Sequence, residues 1–165
     1  MTEAHTSLDS IGTIERLVTL LQLEPQGIDH FRGASEDIGT SRVFGGQVLG
    51  QALVAACRTA TSPVHSLHAY FLLPGDHHEP IDYLVERVRD GRSFATRRVV
   101  AQQKGRTIFT MMASFHAPEA GSFSHQRQMP AVPPPEGLQT ETALRQAQAH
   151  QLPAGWRGEK LPPIE

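Results

Sequence analysis

The chain has 165 residues, 39% of them hydrophobic and 19% charged, which is the composition of an ordinary globular domain with one core. A net charge of −2 offers no surplus of cations to nucleic acid, so any anionic ligand has to be held by a few placed arginines or by helix N-termini. A single cysteine, Cys57, excludes an internal disulfide framework and fits a reducing compartment.

In chain order, Ile14, Leu17, Val18 and Leu21 stand at helical spacing, with Ser10 and Thr13 as candidate caps. Glu24-Pro25-Gln26-Gly27 is expected to end that helix, and an extended piece around Ile28–Gly33 to follow. The segment Phe44 to Cys57 predicts a second helix, Ala-rich and apolar nearly all round, as a buried helix is. Its small residues, with Gly46 and Gly50 four apart, let a sheet approach closely, while Gln47, Gln51 and Arg58 predict one wet side. Beyond Pro63 the pattern turns to strands: Val64–Leu73 closed by Pro74-Gly75-Asp76, an alternating Ile81–Arg89, then Phe94–Gln102 and Thr107–His116. Asp90-Gly91 predicts a two-residue hairpin and Lys104-Gly105 a further turn.

From Ala117 this grammar ends. Gln128 to Pro135 reads as a polyproline-like linker, and a weakly apolar helix is expected over Thr140–His150. The residues from Leu152 to Glu165 hold no partner element, so the natural chain is expected to continue into a further unit. There is no internal repeat. MTEAHTSLDS at the start has neither the basic nor the apolar region of a secretory leader, and no apolar run reaches the roughly 20 residues of a membrane span. The expectation is a soluble, cytoplasmic protein with neither membrane nor nucleic acid as partner. The architecture these elements predict is α+β, a curved antiparallel sheet wrapped around a long central helix, the hotdog arrangement. Residues 1–118 form that domain and 119–165 the linker and short helix. A half-wrapped helix and an open sheet edge call for a second such unit, in cis or in a homo-oligomer.

Three ordered stretches carry a family resemblance. They are Phe31-Arg32-Gly33 through Val43-Phe44-Gly45-Gly46-Gln47-Val48, then His65 through Asp76, and Arg89-Asp90-Gly91-Arg92-Ser93-Phe94 through Val99, continuing to Ala113-Ser114-Phe115. Together they resemble the type II acyl-CoA thioesterases, which hold two hotdog units in one chain, and the similarity runs roughly from Leu17 to Leu152. The resemblance implies hydrolysis of fatty acyl-CoA to free acid and CoA, with no cofactor besides the CoA of the substrate. It also implies that an Asp, a Thr or Ser, and a Gln of the second unit activate a water. None of the three is carried onto this sequence, and the central helix has no acidic residue between Phe44 and Cys57.

Several residues are candidates for binding or chemistry. The Gly45-Gly46 start of the central helix, continued by Gln47 and Gln51, presents bare N–H groups suited to an oxyanion. The alternative is that the glycines serve only a tight turn and close packing. A nucleotide-binding loop is excluded, because Gln51-Ala52 stands where Lys-Ser/Thr is required. His65 is either a structural histidine or a general base, and strand alternation predicts that it and His68 face opposite ways. Asp76-His77-His78-Glu79 is read as a solvated loop without metal, since consecutive turn positions seldom converge on one ion. Cys57 is read as a small core residue. There is no Gly-x-Ser-x-Gly element. Arg92, Arg97 and Arg98 form a positive cluster around the hairpin, either merely solvated or reaching CoA phosphates. Phe109, Met111, Met112 and Phe115 are expected to line the sheet, as core or as wall of an acyl tunnel. Two rival functions stand beside the thioesterase. One is an acyl-CoA-binding or scaffolding module without activity. The other is a hydratase or dehydratase of acyl thioesters, which needs a His-and-acid pair.

Overall fold

The computed structural model describes residue 12 and residues 14–39, 41–121 and 123–148. Helix α1 is described over residues 14–20 and carries the predicted stripe, with Ile14, Leu17 and Val18 exposed; the candidate caps Ser10 and Thr13 lie outside the described residues. The segment expected only to stop this helix is strand β1 (Glu24–Gly27), paired antiparallel with β2 (His30–Gly33). Pro25 is tolerated there because β1 is the edge of the sheet, where a missing N–H breaks no ladder. Helix α2 (Gly45–Cys57) follows, then β3 (Val64–Phe71), β4 (Ile81–Asp90), β5 (Phe94–Gln103) and β6 (Arg106–His116).

These strands form one antiparallel sheet in the order β1-β2-β4-β5-β6-β3. Helix α2 lies on one face, chiefly against β5 with β4 and β6 beside it. Its Ala52, Ala55 and Ala56 are fully buried, so the sheet comes close, and inward residues Ile81, Tyr83, Val99, Ala101, Phe109, Met111 and Phe115 fill the core. The hotdog arrangement in α+β class is thus what the chain adopts. Met112 departs from the expected core: it is adjacent to Met111, so strand alternation turns it to the outer face, where it is half exposed.

The two turn signals exchange roles. Strand β4 ends at Asp90 and β5 begins at Phe94, leaving a three-residue connection, Gly91–Ser93, whose Gly91 N–H donates to the Phe94 carbonyl. The two-residue hairpin is at Lys104-Gly105, where both residues are left-handed, with φ of 50° and 73°, between paired Gln103 and Arg106. Gly105→Val is therefore expected to lower stability by roughly 1–2 kcal/mol. Gly91→Ala, at ordinary φ, tests a different effect, a Cβ 2.9 Å from the Phe94 carbonyl. Equal urea midpoints for wild type and Gly105→Val would disprove the turn assignment.

The chain divides into two compact units, Met1–Glu119 and Ala120–Glu165. In the second, a 3-10 turn (Pro135–Gly137) precedes helix α3 (Glu141–Ala147), whose N-cap Thr140 accepts from the Ala143 N–H. The remainder of the expected Thr140–His150 helix, and the residues from Leu152 onward, lie outside the described residues. Among the described residues no helix is long and apolar enough to cross a membrane.

Candidate functional site

The start of α2 faces an open groove of about 390 Å³, walled by Val43, Gly45, Val48, Phe71, Ile108 and Phe109, with Arg42 and residues 72–75 completing it. That volume suits a ligand fragment of small-molecule size. The groove lies here because β3 runs out of its ladder at Phe71 and the chain turns across the end of α2. The Val43 N–H donates to the Gly75 carbonyl at 3.0 Å, and the N–H groups of Leu72 and Leu73 to the Ile108 carbonyl. Phe44 is the N-cap but gives no side-chain hydrogen bond, so the first-turn N–H groups of Gly45 and Gly46 lack an acceptor within the helix. A Cβ on Gly45 would stand 3.1 Å from the Phe71 ring, and one on Gly46 2.5 Å from the Phe44 ring. Both glycines thus allow aromatic rings to lie against the helix start.

The predicted wet side of α2 is the inner side. Gln47 and Gln51 are buried, 4% and 0% exposed, and are spent on the protein's own backbone. Gln47 donates to the Ala34 carbonyl and accepts from the Glu36 N–H. Gln51 donates to the carbonyls of Leu20 and Ala34 and accepts from the Tyr83 hydroxyl at 2.7 Å. Burial pushes the Tyr83 phenol well above its ordinary range, so it stays a neutral donor. The less buried side of α2 instead carries Gly46, Leu49, Leu53 and Cys57. Cys57 is exposed and not a core residue, and partial desolvation raises its thiol pKa, so it is no activated thiolate. Neither glutamine is on the groove wall.

The arginine cluster also divides. Arg97 alternates inward with Ala95 and Val99, its side chain 1% exposed. It donates to Thr59 Oγ1, to the carbonyls of Thr59, Arg89 and Thr96, and to Asp90 Oδ1 at 2.5 Å. A guanidinium has five N–H donors and all are occupied, so Arg97 is a buried clamp and not a rim cation. Arg98 pairs with Glu86 on the outer face, and Arg92 is exposed on the Gly91–Ser93 connection. None of the three is on the groove wall; the cation there is Arg42, which sequence reasoning missed although it stands three residues before Gly45.

His65 is on the outer face of the sheet, away from α2. A register shift between Val64 and Ser66 breaks the alternation that was expected to separate it from His68. Its Nε2 lies 2.9 Å from Ser114 Oγ, and its ring is edge-on to Phe94 and His116, which stack on each other. His65 is thus held structurally and is no base for the groove. The turn after β3 contradicts the divergence expected of consecutive positions: ligand atoms of Asp76, His77 and His78 all lie within 4.8 Å of one another. The His78 N–H donates to Asp76 Oδ1, and this bond is the main cause that holds the Asp76 carboxyl below its ordinary pKa.

The family described as "Acyl-CoA thioesterase N-terminal domain" matches residues 32–116. The chain is 48% identical over 124 residues to acyl-coenzyme A thioesterase 8 of Homo sapiens, covering 74% of this chain and 39% of that protein. It is 49% identical to an acyl-CoA thioesterase II, TesB2, of Mycobacterium marinum, with a TM-score of 0.65, covering 73% of this chain and 45% of that one. A protein with a hot dog fold from Alicyclobacillus acidocaldarius has a TM-score of 0.67 at 23% identity, covering 73% of this chain and 47% of that one, a likeness of fold alone. The chain thus spans less than half the length of these relatives.

Proposed function

The chain belongs to the acyl-CoA thioesterase family through that family's N-terminal domain, and from this premise we propose that it supplies the first hotdog unit of an enzyme hydrolysing fatty acyl-CoA to fatty acid and CoA. The observation that carries the reading is the groove at the start of α2. It pairs Gly45, whose N–H has no acceptor within the helix, with apolar walls from Phe71, Ile108 and Phe109. An acyl chain is recognised by its apolar surface and a thioester carbonyl by N–H donors aimed at its developing negative charge. Arg42 is the cation on that wall, placed to meet an anionic part of the substrate.

The groove wall carries neither carboxylate nor histidine, so the general base comes from elsewhere. The same absence of a His-and-acid pair on that wall disfavours a hydratase. A second hotdog unit in cis is where the family's catalytic Asp, Thr or Ser, and Gln belong, since another copy of this chain lacks them as well. It would lie on the apolar side of α2 that carries Leu49 and Leu53. The cytoplasm is the compartment proposed.

The test measures CoA release and binding separately. The 165-residue chain is expected to bind long-chain acyl-CoA more tightly than CoA but to release CoA no faster than background. Joined to the second unit of the Mycobacterium marinum thioesterase it is expected to turn over. Gly45→Val, which fills the groove beside Phe71, is expected to weaken acyl-CoA binding at least tenfold. Enzymatic turnover by the chain alone would show the base to be within it, and unchanged binding by Gly45→Val would remove the groove from the site.

A further inference from the structure

We infer that Asp76, His77 and His78 form a site for one divalent transition-metal ion, of the class of Zn²⁺, Co²⁺ or Ni²⁺, in the turn between β3 and β4. Two imidazoles and a carboxylate are the donor set such ions prefer. Their ligand atoms lie within 4.8 Å of one another. Donors bound at about 2.1 Å in a tetrahedron stand about 3.4 Å apart, so side-chain shifts of up to about an ångström close the set.

A second, independent observation concerns His77. Its side chain is 13% exposed, and Nδ1 is buried without a hydrogen-bond partner. A buried polar atom left unmatched costs stability, and a bound cation removes that cost. The other ring nitrogen, Nε2, has Asp37 Oδ2 at 3.9 Å. A metal-bound imidazole commonly turns its remaining N–H to a carboxylate, which fixes the tautomer and the ring. Asp37 is the carboxylate on that side, at 3.9 Å just beyond hydrogen-bond distance.

The backbone that presents these residues is already fixed. Gln103 accepts from the Asp76 N–H at 2.8 Å and donates to the carbonyls of Asp76 and Glu79, while Ser35 Oγ donates to the Glu79 carbonyl. Asp76 Oδ1 is engaged by the His78 N–H, which leaves the second carboxylate oxygen for the ion. Glu79 is paired with Lys104 at 2.9 Å and is not a ligand. The remaining coordination positions go to water. Residues 74 and 75, immediately before the cluster, are on the groove wall, and Gly75 holds Val43. An ion here staples that wall; the inference does not depend on what the groove binds.

The sequence holds nine histidines, so the experiment uses untagged, chelator-stripped protein and compares variants. Calorimetric titration with Zn²⁺, and the visible absorption of Co²⁺, are expected to show one site per chain of micromolar affinity or better. His77→Ala and His78→Ala are each expected to weaken it at least tenfold, whereas His125→Ala leaves it unchanged. His78 is exposed, so its variant keeps the fold if the buried His77 variant does not. The inference is overturned if uptake stays unsaturated into the millimolar range, or if the His78 variant binds as the wild type does.

Discussion

Replacing Arg97 by alanine is expected to destabilise the chain by about 3–5 kcal/mol, out of the roughly 5–15 kcal/mol available to a domain of this size. The guanidinium is 1% exposed and ties three places together: the carbonyl and hydroxyl of Thr59 just past α2, the Arg89 and Thr96 carbonyls, and Asp90 at the end of β4. A cation at a helix C-terminus also meets the negative end of the helix dipole. Alanine leaves the hydroxyl and carbonyl of buried Thr59 without their donor, and each unmatched buried group carries its own desolvation cost. Arg97→Lys keeps the charge but places one ammonium where a planar fork was, so it is expected to recover less than half of the loss. Urea unfolding at constant m-value is the measurement. An Arg97→Ala midpoint within about 1 kcal/mol of wild type would show the clamp to be energetically idle.

The second large effect is expected at Gln51. Gln51→Leu conserves volume but strands the Tyr83 hydroxyl and the Leu20 carbonyl, while the Ala34 carbonyl keeps Gln47, for an expected loss of about 2–4 kcal/mol. Tyr83→Phe alone is expected to cost about 1 kcal/mol, and the double variant less than the two added, because the removed partners no longer face each other. Additive losses would disprove the network. Gly33→Ala probes the same place from the other side, since its Cβ would fall 2.6 Å from Gln51 Oε1, a head held by its bonds. The network explains an inversion in α2: its polar residues fasten the helix to residues 20 and 34, and its less buried side is left to Leu49 and Leu53.

The hydrophobic period and turn residues were enough to place α2 and the four long strands, because alternation and Ala-rich helix composition are local properties. The three ordered motifs were enough for the family, whose N-terminal domain matches residues 32–116. What sequence spacing could not decide was direction. Gln47 and Gln51 read as a wet stripe, since nothing local says that backbone carbonyls from residues 20 and 34 wait on the inner side. Arg97 read as a rim charge, since Thr59 is distant in sequence and close only in the fold. His65 read as facing away from His68 until a register shift turned it, and Arg42 became part of the groove only when the chain after β3 crossed the end of α2. The local pattern of this chain thus determined α2, the four long strands and the family, but not the edge strand β1. The partner of each polar side chain was decided by tertiary structure alone, because a buried hydrogen bond is satisfied by whichever group folding brings near.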